Sequence, residues 1–531
     1  MLFLFVCVYL VNLDALRLTR DDWANIDDMA RALRAHGLAF AVTRIATNEW
    51  LGLSLPRIFF GSWVIQLLVG YFGRFNYVPY YLFILTAHLG ASCLIFRIFR
   101  RLLGSSWLAA ILASAFLVLP CATKELFWLN DWFFAIPFDL LVLQAYFLVF
   151  SRKSTYVQTT VLFALTAFGQ LCGEQTILMF YWSLSLGLFY ALRFKRGDEL
   201  RAMVISCTVA ALGALAVMLA YVTRVMKFSA LHTPIDFSFG RTHEYLVSYA
   251  HMFKNALDPT SYFFGSLTVP ISAKSGVLMA LCVVAAVVIF WKAGSSALWA
   301  ARPRALAYTS LALLGYAVLA VVPLLYGSYT GSRPGPTTSY LFCAAVPFTF
   351  LAVCAAVLLG HSFSLRWKTL LQIALPALVA YFACLTIYSA NQVWGFQKML
   401  DDGIWRRVDQ AMTTRINFVV TDNLSENQAQ LMAQWDSDAV SDFQADWGIF
   451  GRLSATYGRP FRVGKSIERI KGKDELRLLD YYGGSALVPK NGGLYLAYRY
   501  GPTFYDLKDA RLYVFASLED FEAFRRRAHR E

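Results

Sequence analysis

The sequence predicts an α-helical polytopic membrane protein of about 11 spans, followed by a soluble C-terminal α/β domain. Three observations predict it. Of 531 residues, 58% are hydrophobic and only 15% charged, with a mean hydropathy of +0.50. Soluble domains do not reach that balance over such a length. Apolar runs of about 20 residues recur, the length a helix needs to cross a bilayer. Lys and Arg fall largely in short loops between those runs, where they set topology.

The expected spans cover residues 1–13, 76–97, 106–121, 132–150, 157–173, 175–193, 202–224, 276–292, 306–326, 340–360 and 369–390. The first is short for a crossing and lacks the basic flank and cleavage site of a signal peptide. The assigned start is therefore expected to be late, with part of the first helix missing. Basic clusters follow alternate spans: Arg97, Arg100 and Arg101; Arg152 and Lys153; Arg193, Lys195 and Arg196; Lys292, Arg302 and Arg304; Arg366 and Lys368. One topology places all of them in the cytoplasm. The opposite side then holds three long segments: a first outer loop over 14–75, residues 225–275, and the tail from about 391.

Within the first loop, residues 27–45 carry apolar side chains at helical spacing, with Arg31, Arg34 and Arg44 on the other face. A helix lying along the membrane surface is expected there. In the tail, Asn417-Phe-Val-Val-Thr, Leu494-Tyr-Leu-Ala-Tyr and Leu512-Tyr-Val-Phe read as strands. Helices are expected over 404–414 and 518–527, and Gly483-Gly484 and Gly492-Gly493 mark turns. The division is thus a membrane domain over 1–390 and an α/β domain over 391–531, about 140 residues and long enough to bury its own core.

The net charge of +14 lies in the loops and sets topology, so nucleic-acid binding is excluded. The nine cysteines all lie in or beside apolar segments, without Cys-x-x-Cys spacing. They indicate packing, not a zinc site or a disulfide framework.

Five constellations could carry chemistry. The first is Thr19-Arg-Asp21-Asp22-Trp23-Ala-Asn-Ile-Asp27-Asp28, with four carboxylates in eight residues just after the first apolar segment. Paired carboxylates bind a hard cation or act as a general base. For Asp27 and Asp28 the preferred reading is helix capping, since acids favour helix N-termini. For Asp21 and Asp22 the preferred reading is function. The second is Lys124-Glu125-Leu-Phe-Trp128-Leu-Asn130-Asp131-Trp132, which faces either a cavity or headgroups. The third is Cys172-Gly173-Glu174-Gln175, read equally as a polar hairpin or as a contribution of Glu174 to the same cavity. The fourth is Ser332-Arg333-Pro-Gly-Pro-Thr-Thr-Ser339-Tyr340, where Arg333 suits either a bound phosphate or lipid headgroups. The last, His88 inside a span, reads as a packed histidine that hydrogen-bonds its neighbours.

In their order, these clusters resemble the multi-span glycosyltransferases of the GT-C class, near the protein O-mannosyltransferase-like and bacterial inner-membrane sugar transferases. Asp21-Asp22-Trp23 matches the acidic pair of that family's first outer loop. Its Arg-Pro element is reversed here as Pro56-Arg57. Gly70-Tyr-Phe-Gly-Arg-Phe-Asn76 leads to a span-embedded His, here His88. Glu125 and Trp128 match a Glu…Trp pattern, with Asn130-Asp131 where an Arg is usual. Glu174 stands where relatives have Lys-Glu, and Arg333 to Tyr340 resembles an Arg-Tyr element with Pro-Gly-Pro inserted. The resemblance covers roughly residues 1–390.

It implies a transferase that takes a sugar from a polyprenyl-phosphate donor to an extracytoplasmic glycan, lipid or protein acceptor, with inversion. Asp22 or Asp21 would be the general base. Arg333, Tyr340, Glu125, Trp128, Glu174 and Arg57 would bind substrate. A divalent cation such as Mg or Mn is left open, since no dedicated metal-ligand spacing is visible. The expected setting is a bacterial inner membrane, with membrane lipids as neighbours and the tail in the periplasm. A transporter or flippase of lipid-linked saccharides is the main alternative, although no internal repeat is seen. A non-catalytic membrane scaffold is the other.

Overall fold

The computed structural model describes residues 1–15, 20–47, 60–74, 76–122, 126, 132–150, 155–225, 243, 247, 250, 271–293, 298–326, 342–363, 365–388, 390–391, 395–423, 446–480, 484–499 and 511–528. Helices dominate the first three quarters of the chain: α1 (Leu2–Val8), α2 (Arg20–Ala46), α3 (Phe60–Phe72), α4 (Tyr77–Leu103), α5 (Ser106–Leu117), α6 (Trp132–Phe150), α7 (Thr155–Gln170), α8 (Ile177–Phe194), α9 (Gly197–Ala220), α10 (Ala273–Ala293), α11 (Pro303–Tyr326), α12 (Phe342–Gly360) and α13 (Leu365–Tyr388). Among the described residues, six helices have the length and composition to cross a membrane: Tyr77–Leu103, Ile177–Phe194, Gly197–Arg224, Pro303–Val322, Phe342–Gly360 and Arg366–Tyr388. Each coincides with an expected span. The expected spans 1–13, 106–121, 132–150 and 276–292 fall on shorter apolar helices. The span expected over 157–173 falls on α7.

Sequence sets the helix ends locally. Asn76 caps α4, its side chain accepting from the Val78 amide at 3.0 Å. Gly104 ends α4 in the left-handed region (φ 78°), its N–H bonding to Arg100 O. Ser105 then caps α5 through the Leu108 amide. Three of the basic clusters meet at one end of the bundle, while Arg152 and Lys153 lie outside the described residues. The Arg302 amide donates to Leu103 O at 3.3 Å, beside Arg100 and Arg101. Trp299 meets His361 edge-on and Lys368 from its face, drawing the α12–α13 connection to the same end.

α3 was not expected. With thirteen residues it is about 20 Å long, short of the about 30 Å of a hydrocarbon core. It docks against the α7–α8 connection: the Gly61 amide donates to Leu171 O, and Ser62 Oγ donates to Cys172 O at 2.7 Å.

The C-terminal part contains α14 (Gly395–Ala411), α15 (Asp446–Tyr457) and α16 (Leu518–Ala528) around seven strands. The strands are β1 (Phe418–Asn423), β2 (Arg462–Gly464), β3 (Ser466–Arg469), β4 (Glu475–Leu479), β5 (Ser485–Pro489), β6 (Gly493–Arg499) and β7 (Arg511–Phe515). One sheet has the order β2-β1-β6-β7, with β1 parallel to both neighbours and β7 antiparallel to β6. β3-β4-β5 form a small antiparallel sheet. Val419, Leu494 and Leu496 face Trp405 and Leu453, while Phe418, Val420 and Tyr495 face Phe521 and the small sheet. Burial on both faces explains the unbroken apolar run of β1. The three expected strands and two expected helices are present. α15 and β2–β5 were not expected. Gly492 turns with φ 94°, as its glycine pair suggested, whereas Gly483 lies outside the described residues.

A Cβ at Gly61 would stand 3.3 Å from the Cys172 backbone and closer still to its sulfur, whereas one at Gly90 meets nothing within 4 Å. Gly61→Ala is expected to destabilise by about 1–3 kcal/mol. Gly90→Ala, on an exposed helix face, is expected to be neutral or to stabilise by up to about 1 kcal/mol. Thermal unfolding of both variants in the same detergent checks the contrast, and equal shifts would contradict it.

Candidate functional site

The site grows from α2. Its halves are separated at Gly37, whose φ of 81° and ψ of 176° break the helix. In one straight helix, Asp28 and Arg44 would stand about 24 Å apart. Here Arg44 reaches Asp28 at 3.4 Å, so the halves fold back on each other. The expected surface helix over 27–45 is therefore corrected to a helical hairpin. Only glycine adopts that φ without strain.

This also corrects the capping role expected of Asp27 and Asp28. The helix starts at Arg20, so both lie about two turns inside it. Both are buried. Asp27 pairs with Arg31 at 3.0 Å, and Asp28 with Arg31 at 3.7 Å and Arg44. Burial pushes the Asp27 carboxyl above its ordinary pKa, against the opposing pull of Arg31.

Asp22, one turn earlier, is fully buried, with Asn25 beside it in sequence also buried. It lies close enough to Tyr80, in the first turns of α4, to act electrostatically on its hydroxyl. Tyr80 is fully buried and meets Trp132, the first residue of α6, edge-on at 5.9 Å. Among the described residues, neither the Tyr80 hydroxyl nor Trp132 Nε1 has a hydrogen-bond partner. A buried donor without an acceptor is costly, and a ligand or water can complete it. Tyr80 was not singled out in the sequence. Its signal was its place in Tyr77-Val-Pro-Tyr80-Tyr81, an aromatic cluster at a helix start.

The other expected site residues are placed less fully. The backbone of Asp21 lies in the first turn of α2, and that of Glu174 in a 3₁₀ turn over Glu174–Thr176. The side chains of both lie outside the described residues. Arg57, Glu125, Trp128, Arg333 and Tyr340 also lie outside the described residues. Among the described residues, no group of three or more His, Cys, Asp or Glu is placed to hold a metal ion. Asp27 and Asp28 are engaged with arginines, so they do not fit a cation site with Asp22.

Deeper in the bundle, His88 of α4 stacks on Phe116 at 4.3 Å. Its Nδ1 lies 4.0 Å from Asp139 of α6. That separation exceeds a hydrogen bond, and the ring is packed among aromatic side chains as expected. Asp139 was not singled out in the sequence.

The C-terminal part closes over α2. Arg452 of α15 lies 5.3 Å from the Trp23 ring centroid and 4.4 Å from that of Trp405 in α14. Arg31 reaches the Phe450 ring at 5.5 Å. Trp23 directly follows Asp22, so this contact ties the sheet's helices to the buried carboxylate. Lys274 and Lys398 both bond Asp14, Lys274 through the carboxylate and Lys398 through the carbonyl, anchoring α10 and α14 at the same end.

No family model and no curated protein matches the chain. Two solved structures are similar to it. ArnT from Cupriavidus metallidurans bound to undecaprenyl phosphate shares 13% identity, with 96% of this chain and 94% of that one covered and a TM-score of 0.36. The same protein in the apo state shares 14%, with the same coverage and a TM-score of 0.38.

A cation over an aromatic face is worth about 0.5–2 kcal/mol, depending on its desolvation. Arg452→Ala is expected to loosen α15 from α2, raising amide exchange in peptides over 23–34 and 446–457. Arg452→Lys should restore part of the protection. Unchanged exchange in the alanine variant would remove Arg452 from this role.

Proposed function

We propose that the chain is a membrane glycosyltransferase of the GT-C type, moving a sugar from a polyprenyl phosphate to an acceptor hydroxyl. The observation that carries the reading is the fully buried carboxylate of Asp22, set beside a Tyr80 hydroxyl that has no hydrogen-bond partner among the described residues, at the end of α4 opposite Arg100 and Arg101. Ionisable groups buried in a multi-span bundle mark pathways and reaction centres.

In the proposed reaction, Asp22 takes the proton of the acceptor hydroxyl. The oxygen attacks the anomeric carbon from the face opposite the phosphate, a new glycosidic bond forms, and the carbon–oxygen bond to phosphate breaks. Polyprenyl phosphate leaves with that electron pair, and the anomeric configuration inverts. Asp21 is the alternative base. Tyr80 donates to the acceptor oxygen or to the carboxylate and fixes their geometry. Arg333 neutralises the departing phosphate, with Tyr340, Glu125, Trp128, Glu174 and Arg57 completing the substrate pocket. The bundle sits in a bacterial inner membrane, with the sheet-bearing C-terminal part in the periplasm.

General base catalysis supplies about 10²–10⁴ in rate. In a deletion strain, Asp22→Asn is expected to fail to restore the missing glycan and to accumulate its lipid-linked donor, read by mass spectrometry of both. Equal rescue by the variant and wild type would sink the assignment. Tyr80→Phe removes a hydroxyl without a described partner, so unfolding temperature should hold. Transfer should fall roughly tenfold, the worth of one hydrogen bond to a charged group. A variant that transfers normally would clear Tyr80.

A further inference from the structure

At the basic end of the bundle, the segment over 298–302 is wedged between two helix connections. Leu298 and Ala301 are buried, and the Arg302 amide donates to Leu103 O at the end of α4. On its other side, the Trp299 ring sits against Gly360, where a Cβ would stand 2.6 Å from it. The same ring meets His361 edge-on at 5.3 Å and takes Lys368 over its face at 5.4 Å. The wedge thus carries Lys368 on one flank and, three residues on, Arg302 on the other. Arg100 and Arg101 join Arg302 from the last turn of α4, while Arg304 and Arg366 stand in the first turns of α11 and α13.

Three observations separate this end from an ordinary basic loop. The stretches 97–107, 298–304 and 361–369 contain no Asp or Glu. Among the described residues, Arg100, Arg101, Arg302, Arg304 and Arg366 have no ion-pair partner, and Lys368 has only the Trp299 ring. The α8–α9 turn is the contrast: Asp198 and Glu199 follow its basic residues, and Lys195 pairs with Glu199 at 3.9 Å. Topology, moreover, asks that loops be basic and not that they be drawn together. Gathered like charges repel one another and weaken the fold unless anions neutralise them. Finally, exposed apolar side chains continue directly from the cations. Tyr308 and Leu311 follow Arg304 on α11, and Trp367 and Leu370 follow Arg366 on α13. Charge, then an interfacial aromatic ring, then aliphatic surface is the order a phospholipid presents from head to tail.

We propose that this end binds a phospholipid with two phosphates, of the cardiolipin type, with one phosphate on each flank of Trp299. Arg302, Arg100 and Arg101 hold one phosphate, and Lys368 and Arg366 hold the other. Guanidinium groups bind phosphate bidentately, and the lysine meets it as a point charge. Basic recesses between helix ends, on the side that carries the basic loops, suit such headgroups. The acyl chains lie along the exposed faces of α11 and α13. The site stands at the end of α4 opposite Tyr80 and Asp22, so it does not rest on the transferase reading.

The test is native mass spectrometry of the full-length protein in detergent, titrated with cardiolipin and with phosphatidylglycerol. Cardiolipin is expected to bind at least about tenfold more tightly, because the second phosphate gains its own charged hydrogen bonds. The Arg302→Gln, Lys368→Gln double variant removes one cation from each flank and leaves Arg97, Arg100, Arg101, Arg304 and Arg366 to hold topology. It is expected to lose most of that preference. Arg193→Gln with Arg196→Gln, in the α8–α9 turn, removes the same charge and is expected to leave the preference unchanged. Asp22→Asn should bind cardiolipin like wild type, so a failed transferase assignment leaves this result standing. Equal affinity of the wild-type protein for the two lipids, a comparison that needs no variant, would overturn the proposal. Equal losses in the two double variants would do the same, since charge alone would then account for binding. Displacement of bound cardiolipin by an equal concentration of pyrophosphate would also overturn it, because the cations would then serve a soluble anion.

Discussion

Helix α2 is highly charged and yet lies between two apolar masses, and the rest of the site follows from how its charges are matched. Ile26, Met29, Ala32, Ala41 and Ile45 join the core of the bundle, while α15 packs along another side. A carboxylate in such a seam must find a cation or a donor, because leaving it unpaired costs several kcal/mol. Asp27 and Asp28 find Arg31 and Arg44. The second of those partners is reachable only because Gly37 turns the helix back. Asp22 lies close enough to act on the Tyr80 hydroxyl. The same short segment therefore holds two carboxylates paired with arginines and a third beside the Tyr80 hydroxyl.

Matching also explains why the C-terminal part belongs to the site. Arg452 lies over Trp23 and Trp405 at once, joining the residue after Asp22 to the helix that leads into the sheet. Asp14 receives both Lys274 and Lys398, so the end of the first helical segment, the start of α10 and α14 meet at one point. A reaction at Asp22 would thus take place under a roof built from residues some four hundred positions away. Within the membrane region, His88 and Asp139 form a second buried ionisable pair, held among Phe116, Phe138 and Phe342.

Much of this was legible in the sequence, for physical reasons. Long apolar runs announced the six full-length spans, because nothing else buries twenty consecutive apolar residues. Alternating basic loops announced the end of the bundle on which Arg302 meets Leu103. The β1 and β6 strands were visible because both of their faces are apolar. α15 was missed because Asp446-Trp-Gly-Ile-Phe-Gly-Arg carries two glycines, which local propensity counts against a helix. The α2 hairpin was missed because its apolar spacing continues through Gly37, although an isolated glycine in a helical pattern was itself the available sign. Tyr80 and Asp139 were missed because a lone polar residue in an apolar run shows its importance only when the neighbour across the bundle is known. The pairing roles of Asp27 and Asp28 depended on Arg44, sixteen residues on, which no local pattern connects to them.

The central claim is that Asp22 faces the reacting carbon. The most direct measurement is a cryo-electron microscopy structure in nanodiscs with a non-hydrolysable polyprenyl-phosphonate sugar bound. The account predicts the anomeric carbon facing Asp22, with room for one acceptor oxygen within about 3 Å of the carboxylate. A donor sugar seated elsewhere in the bundle, with Asp22 walled off from it by packed side chains, would contradict the account.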